Sequence, residues 1–281
     1  MQISKISIFF VLLFFQNSLF SQNHDTKDNI VRINNIKKCT GRIIIDSVAV
    51  GTGFFISENG LVLTCWHVID SDPLLFENGK IKSKIFIELV SKERIEIEVL
   101  DSLKETNKFG YLYDYIVLRA KNSNKKYSYF KLGNFDKCIE GSEVYTCGYP
   151  FAQFYPVYTQ GVVSTIFNDT IFYYNDTIIK KSALLDITFN RGNSGGAVFL
   201  KGKKTKFDQL IGIADFIVVP RNTNELSELK KSINPYSMGS LQSGSFDLRD
   251  FAKSLILATE NTSYGIGGII SVNYIKTRIL K

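Results

Sequence analysis

Short apolar runs, each ended by turn-forming residues, dominate this sequence and limit most strongly what it can fold into. About twelve such runs are rich in Val, Ile, Phe, Tyr and Thr and are separated by Gly, Asn and Asp, the pattern of short β-strands. Asn-Gly at 59–60 and Asn-Asp-Thr at 168–170 and 175–177 predict turns. So many short strands favour an all-β barrel or sandwich with closed edges. The candidate strands are Arg42–Val50, Gly53–Ser57, Leu61–Cys65, Ile85–Val90, Ile95–Leu100, Tyr115–Ala120, Glu143–Gly148, Tyr155–Phe167, Ile171–Ile179, Ala183–Thr188, Ala197–Leu200, Gln209–Val219 and Gly267–Val272.

A polar interval at 121–137 divides these strands into two halves of about six each. We therefore predict an N-terminal unit over 22–133 and a C-terminal unit over 134–281. Residues 221–263 break the β pattern, because NELSELKKSI and DLRDFAKSLILATE carry apolar residues at helical spacing. This segment is predicted as a partly helical insertion, either a solvated decoration or a functional element beside the active site.

The first 21 residues have the organisation of a secretory signal peptide. Lys5 gives the segment a positive start, and Ile6–Phe15 is an apolar run too short to span a bilayer comfortably. Ser21 is a small residue at the expected cleavage edge. The alternative is an N-terminal membrane anchor. With residues 1–21 removed as a signal peptide, we expect an exported chain, periplasmic or extracellular, without stable membrane insertion.

Charge and cysteine content exclude several classes of partner. The formal net charge is +7, but the lysines are scattered and form no basic stripe with interleaved aromatics, so nucleic-acid binding is not predicted. The four cysteines, Cys39, Cys65, Cys138 and Cys147, could pair in an exported chain or remain buried free thiols. The sequence has no CxxC pair and only two histidines, so we expect no metal and no cofactor.

The stretch FNRGNSGGAVFL, residues 189–200, places Ser194 among three glycines. Glycine costs conformational entropy on folding and is favoured where the backbone needs a positive φ or a close approach. Two interpretations compete: a tight polar turn before a strand, or a nucleophile loop whose backbone N–H groups face a developing oxyanion. Taken alone, the stretch slightly favours the turn, because clusters of Gly, Asn and Ser are common in turns.

A serine nucleophile needs a base, and His67 is the candidate, because the other histidine, His24, lies next to the predicted cleavage site. His67 lies at the end of the apolar run LVLTCWHVID, and Asp114 directly precedes the strand-like run YIVLRA. Either residue alone is more often structural than catalytic. Together, the order His67, Asp114, Ser194 matches chymotrypsin-type proteases and differs from the subtilisin and α/β-hydrolase orders.

On these residues the chain resembles trypsin-like serine proteases of the HtrA/Deg branch, over roughly residues 40–275. The resemblance implies two perpendicular six-stranded Greek-key β-barrels, the chymotrypsin-like fold, with the active site in the cleft between them. We expect two departures from the branch: no PDZ domain after the last strand, and the insertion 221–263 in place of a short loop near the specificity pocket. The motifs that carry the resemblance are GTGFFIS (51–57), VLTCWHVI (62–69), DYIVLRA (114–120), GYP (148–150), FNRGNSGGAVF (189–199), LIGIADFIVV (210–219) and YGIGGIISVNYI (264–275).

The resemblance also implies a catalytic role for each residue of the constellation. Ser194 is expected to be the nucleophile, His67 the general base and acid, and Asp114 the group that orients the imidazole. The backbone N–H groups of Gly192 and Ser194, with Asn193 between them, are expected to form the oxyanion hole.

By the same resemblance, Phe189, Ile213 and Phe216 are expected to wall the specificity pocket, with small-to-medium apolar side chains before the cut. The predicted function is an exported serine endopeptidase that cleaves unfolded or extended polypeptides through an acyl-enzyme. The alternatives are a catalytically silent binding protein with a protease fold and an esterase on the same triad. Polypeptide substrates are the expected partners, and the sequence does not set an oligomeric state.

Overall fold

The computed structural model describes residues 26–69, 76–77, 80–81, 83–99, 107, 110–121, 124–173, 176–217, 242–243, 246–247 and 265–279 of the 281-residue chain. The predicted signal peptide, 1–21, lies outside these ranges. So does the insertion 221–263, apart from two two-residue strands within it. The elements of the first half are α1 (residues 26–39), β1 (Thr40–Ile45), β2 (Val48–Phe55), β3 (Leu61–Thr64), α2 (Trp66–Ile69), β4 (Phe76–Glu77), β5 (Lys80–Ile81), β6 (Ile85–Leu89), β7 (Arg94–Glu98), α3 (Gly110–Tyr113) and β8 (Ile116–Ala120).

Six of these strands close into an antiparallel barrel in the spatial order β1-β2-β3-β8-β7-β6, with β6 pairing back to β1. The sequence alternation explains the inward and outward faces. In β7, Ile95 and Ile97 are buried, while the charged residues between and beside them face outward, as the two-residue period of a strand requires. Gly60, with φ +85°, forms the predicted Asn-Gly hairpin turn between β2 and β3.

The second half forms a second closed antiparallel barrel in the order β10-β11-β16-β13-β12-β9. Counted along the chain, its strands follow the same order around the barrel as those of the first. Three short 3-10 helices, Phe135–Lys137, Pro150–Ala152 and Thr205–Phe207, interrupt its connections. Its elements are β9 (Glu143–Gly148), β10 (Val157–Tyr173), β11 (Asp176–Asp186), β12 (Ala197–Leu200), β13 (Gln209–Ile217), β14 (Gln242–Ser243), β15 (Phe246–Asp247), β16 (Ile266–Ser271) and α4 (Asn273–Ile279).

The all-β fold of two six-stranded barrels is therefore confirmed, but several predicted strand bounds are wrong; Ile171–Ile179, for example, is divided between β10 and β11. The run Arg42–Val50, predicted as one strand, contains a turn at Asp46 and Ser47, which have positive φ values of 48° and 98°. The segment 168–170, predicted as a turn, continues β10, where Asn168 pairs with Lys181 of β11. Ladder pairing with β11 outweighs the local turn preference of Asn and Asp there.

Apolar packing joins the two barrels. The larger apolar cluster includes Phe54 and Leu63 of the first barrel and Tyr145 and Phe199 of the second. The Phe199 ring stacks on Tyr145 with centroids 5.1 Å apart and meets Phe130 edge-on at 4.8 Å. Fully burying one such aromatic ring stabilises the fold by roughly 1.5–3 kcal/mol. A smaller cluster fills the second barrel.

The four cysteines are buried free thiols, so this possibility, and not disulfide pairing, is the one that the structure shows. Helix α1, which the strand pattern did not predict, packs Ile36 into the larger cluster. No helix within the described ranges has the length and apolarity needed to span a bilayer. The domain boundary at 133/134 stays a prediction.

Candidate active site

His67 and Asp114 meet at one end of the first barrel. His67 lies in α2, which begins just after β3, and Asp114 lies between α3 and β8 with φ +55°, a conformation that aspartate tolerates better than most residues. His67 Nδ1 lies 2.6 Å from Asp114 Oδ2, and the His67 main-chain N–H donates to Asp114 Oδ1 at 2.9 Å. Both carboxylate oxygens of Asp114 therefore hydrogen-bond to His67, one to its main chain and one to its ring. Nε2 is the ring nitrogen that this pair leaves free.

The electrostatics of this pair suit a histidine base and an ionised partner. Burial lowers the pKa of His67, but the hydrogen bond to Asp114 and the charges of Asp114 and Asp215 outweigh burial and raise that pKa above the usual histidine value. Burial tends to raise the pKa of Asp114, yet hydrogen bonds from His67 and Asp215 hold it well below its usual range. The His67 side chain is 48% exposed and that of Asp114 18%, so the base is open to a ligand and the acid is covered.

Ser194 lies in the loop before β12, at the junction of the two barrels. Its main-chain carbonyl accepts a hydrogen bond from Thr52 N–H of β2 at 2.9 Å. Its Oγ donates to the main-chain carbonyl of Asp215 at 3.1 Å. Within the part of the chain that the structure describes, no hydrogen bond joins Ser194 Oγ to His67.

The backbone around Ser194 requires glycine at positions 192 and 195. Both have positive φ, +97° and +87°. A Cβ at Gly192 would overlap the carbonyl oxygen of Tyr149, and one at Gly195 would overlap the carbonyl oxygen of Thr52. Conformation and close approach both require glycine at these positions.

The peptide bond between Arg191 and Gly192 is held in one orientation. The Arg191 carbonyl accepts a hydrogen bond from Phe151 N–H at 2.6 Å. Because the C=O and N–H of a trans peptide point in opposite directions, the Gly192 N–H points away from Phe151. Asn193, which completes the predicted oxyanion loop, is buried, and its N–H donates to the Asn190 carbonyl at 3.0 Å.

Thr52 ties the first barrel to the nucleophile loop, and it was not singled out as a site residue in the sequence. Its Oγ1 donates to the Gly192 carbonyl at 2.6 Å and accepts from Tyr149 N–H at 3.0 Å. Its own carbonyl accepts from Thr64 Oγ1 at 2.6 Å. With the bond to the Ser194 carbonyl, one fully buried threonine orients both sides of the loop.

Asp215 and Lys180 also belong to the site and were missed by sequence reasoning. Asp215 Oδ1 lies 4.0 Å from His67 Nδ1, and its Oδ2 lies 3.2 Å from Lys180 Nζ. Cys65, His67, Asp114 and Asp215 each place a possible metal-ligand atom within 4.8 Å of the others. The Lys180 ammonium already supplies a cation to this cluster, and the Cys65 thiol donates to the Ala214 carbonyl at 3.2 Å. The donor set is therefore satisfied without a metal ion.

The three residues predicted to wall a specificity pocket lie in different surroundings. Phe189 is buried and packs its ring where a Cβ of Gly267 would be, and the Phe216 ring does the same at Gly268. Ile213 is fully buried in the larger apolar cluster, whereas Phe189 belongs to the smaller one. The Phe189 and Phe216 rings thus lie against successive residues of β16, which face opposite sides of the sheet, and Ile213 lies in the other core.

A comparison with protein families matches residues 51–213 to the family described as the trypsin-like peptidase domain. That stretch is more than half of the chain and contains His67, Asp114 and Ser194. The chain belongs to the trypsin-like peptidase domain family. The family that the sequence motifs indicated is thereby confirmed.

Relatives of this trypsin-like peptidase domain include bacterial proteins named probable periplasmic serine endoprotease DegP-like. The protein from Rickettsia conorii is 27% identical over 178 residues, which cover 63% of this chain and 30% of the relative. The protein from Pseudomonas putida strain GB-1 is 29% identical over 164 residues, 56% of this chain and 28% of the relative. The chain therefore matches less than a third of the length of these curated relatives.

Solved structures show the same fold for the domain. The Rv3671c protease of M. tuberculosis in its inactive form superposes with a TM-score of 0.53 at 13% identity, over 90% of this chain and 93% of that chain. The HtrA-type protease AlgW with a decapeptide gives a TM-score of 0.52 at 17% identity, over 88% of this chain and 66% of that chain. The two-barrel chymotrypsin-like architecture is shared at low sequence identity.

Proposed function

We propose that this chain is an exported serine endopeptidase that cleaves unfolded or extended polypeptides with His67, Asp114 and Ser194. The observation that carries the proposal is the meeting of groups from both barrels around Asp215. The Asp215 carbonyl binds Ser194 Oγ, and the Asp215 carboxyl lies beside the 2.6 Å pair of His67 and Asp114. The N-terminal unit, 22–133, would supply base and acid, and the C-terminal unit, 134–281, the nucleophile.

In the proposed reaction, Ser194 Oγ attacks the scissile carbonyl carbon while His67 Nε2 takes the hydroxyl proton. Asp114 stabilises the imidazolium, and the N–H groups of Gly192 and Ser194 receive the oxyanion. Collapse of the tetrahedral intermediate breaks the C–N bond, and the imidazolium gives its proton to the leaving amine. Water, deprotonated by His67, then hydrolyses the acyl-enzyme and restores the serine.

The position of the nucleophile supports an extended substrate. Ser194 is held by hydrogen bonds to both barrels, so a scissile bond must come to their junction. The backbone of a folded domain is engaged in its own hydrogen bonds and reaches such a junction only after local unfolding. Of the three residues predicted to wall the specificity pocket, Phe216 is partly exposed and keeps its proposed role in selecting small-to-medium apolar side chains, whereas Phe189 and Ile213 are buried in the two apolar clusters. Export is supported by the relatives' name, periplasmic endoprotease, and by the predicted signal peptide.

One observation favours the alternative, a silent binding protein. Ser194 Oγ donates its hydrogen bond to the Asp215 carbonyl and not to His67, so the hydroxyl is not positioned to pass its proton to the imidazole in this structure. Hydrogen bonds of a catalytic serine often form only in the substrate complex, which is why we favour the enzyme.

The test is incubation of the purified chain with a reduced, carboxymethylated polypeptide and with the same polypeptide folded. We expect cleavage of the unfolded form alone, lost by on the order of 10⁶-fold in Ser194→Ala and in His67→Ala. Binding of the unfolded polypeptide without cleavage by the unaltered chain would establish the silent protein instead. Hydrolysis of p-nitrophenyl esters without peptide cleavage would establish the esterase.

A further inference from the structure

A second carboxyl, that of Asp215, lies beside the proposed triad, with its Oδ1 4.0 Å from His67 Nδ1 and a carboxyl oxygen within 4.8 Å of one of Asp114. We infer that Asp215, whose carboxyl also pairs with the Lys180 ammonium, is a positioning residue that donates a hydrogen bond to Asp114. This hydrogen bond holds the Asp114 carboxylate against His67. The inference rests on the proposed function, since it concerns the same triad. Asp215 is suited to this role because its carbonyl accepts from Ser194 Oγ at 3.1 Å and a carboxyl oxygen lies within 4.8 Å of one of Asp114.

The backbone places the Asp215 side chain in this position. Asp215 lies on β13 at a register shift in the pairing with β16, between Ala214 and Phe216. A β-bulge of this kind leaves one residue unpaired and re-aims its side chain. The Asp215 carboxyl is therefore directed to the junction of the barrels, where its side chain is only 9% exposed.

Two carboxylates this close repel each other, so the pKa of one of them is raised and that group tends to hold a proton. Asp114 already accepts two hydrogen bonds from His67, which favours its ionised form. Burial, followed by the hydrogen bond to Asp114, raises the pKa of Asp215 well above the usual aspartate range. The shared proton therefore resides on Asp215, which donates to Asp114.

Lys180 sets how firmly Asp215 keeps that proton. Its Nζ lies 3.2 Å from Asp215 Oδ2, and the positive charge favours the ionised carboxylate, which opposes the rise in the pKa of Asp215. The groups that face Asp215 from the elements packed against it are His67, Asp114, Lys180 and the Cys65 thiol. Burial, followed by the charges of the two aspartates, keeps the pKa of Cys65 well above its usual value, so the thiol stays neutral.

A dependence on pH follows from this arrangement. When Asp215 ionises, Asp114 loses a donor and gains a like charge beside it, so activity falls. The alkaline limb of kcat/KM should then report Asp215, while the acid limb reports His67, which must be neutral to act as base.

The test measures kcat/KM against pH for cleavage of a reduced, carboxymethylated polypeptide by the unaltered full chain and four variants of it. Asp215→Asn keeps a donor at every pH and should abolish the Asp215 alkaline limb while retaining the acid limb. Lys180→Met removes the cation that favours ionised Asp215 and should move the alkaline limb to higher pH. Lys181→Met is the matched control, because Lys181 is the next residue on the same strand and pairs with exposed Asp136. Asp215→Ala, which removes the donor, should lower kcat/KM by up to about 10²-fold.

A second readout separates this inference from the proposed function. The chain has only two histidines, so the imidazole signals of His67 can be followed by NMR against pH in His24→Gln, with no hydrolysis required. We expect a second inflection from Asp215 that is absent when Asp215→Asn is added. An unchanged alkaline limb in Asp215→Asn, or no second inflection in the parent, would overturn the inference. Absent hydrolysis with both inflections present would overturn only the proposed function.

Discussion

At the scale of single residues, close approach of the backbone explains the glycine-rich sequence around Ser194 better than flexibility does. Gly192 lies under the Tyr149 carbonyl with a positive φ, and its carbonyl is bonded by Thr52. A side chain there must displace the peptide whose N–H is proposed to face the oxyanion. Gly141 provides a comparison, because it also has positive φ but would place a Cβ in open space.

We expect Gly192→Ala to lose about 2.7–4 kcal/mol of transition-state stabilisation, roughly 10²–10³-fold in kcat, because the oxyanion donor is displaced. Gly141→Ala should cost about 1–2 kcal/mol of folding stability from its left-handed backbone and leave kcat unchanged. Peptide-hydrolysis kinetics and thermal unfolding of the two variants check this. Equal losses of kcat in both would show that the position of Gly192 has no special part in catalysis.

At the scale of elements, the segment after β9 connects the first barrel to the oxyanion loop. Phe151 and Ala152 both have left-handed backbone, with φ of +53° and +57°, and this turns Phe151 N–H onto the Arg191 carbonyl. The segment is fixed from the other side, where Arg42 lies 4.7 Å over the Phe154 ring and Lys92 Nζ donates to the Phe154 carbonyl at 2.8 Å. The left-handed turn and the contacts of Arg42 and Lys92 with Phe154 together fix the orientation of the Arg191–Gly192 peptide group.

This arrangement separates the backbone of Phe151 from its ring, which is 54% exposed. Phe151→Gly keeps the N–H and accepts a positive φ, so we expect kcat to be retained and stability to rise by up to about 1 kcal/mol. Phe151→Pro has no N–H and a φ fixed near −65°, so the Arg191 carbonyl loses its partner and kcat should fall. Equal kcat in the two variants, measured by peptide hydrolysis, would contradict the role given to this hydrogen bond.

At the scale of the whole molecule, each barrel supplies part of the site and Thr52 joins the parts. Thr52→Val removes the hydroxyl but keeps the shape, which leaves the Gly192 carbonyl and the Tyr149 N–H without that partner. Each group left unpaired costs about 1–3 kcal/mol, so both stability and kcat should fall. Thr52→Ser keeps the hydroxyl and is the control. Denaturant unfolding together with hydrolysis rates checks this, and equal behaviour of the two variants would refute it.

The strand pattern predicted an all-β barrel or sandwich in two halves, and the resemblance to trypsin-like proteases supplied the two six-stranded barrels. Residue type and chain order singled out His67, Asp114 and Ser194. These features are local, because a strand or a glycine-rich loop is recognised within its own run of residues. Asp215 and Lys180 could not be predicted, since no motif or spacing in the sequence marks them as a pair and they meet through a bulge in β13. The turn at Asp46 and Ser47 was hidden because apolar residues continue on both sides of it.

The most direct measurement of the central claim is identification, by mass spectrometry, of the residue that a fluorophosphonate modifies in the full chain. We expect a single adduct, on Ser194, formed at a rate that falls by orders of magnitude in His67→Ala, because the imidazole of the first barrel activates the hydroxyl of the second. A folded, unaltered chain that forms no adduct, or forms it on another residue, would contradict the claim.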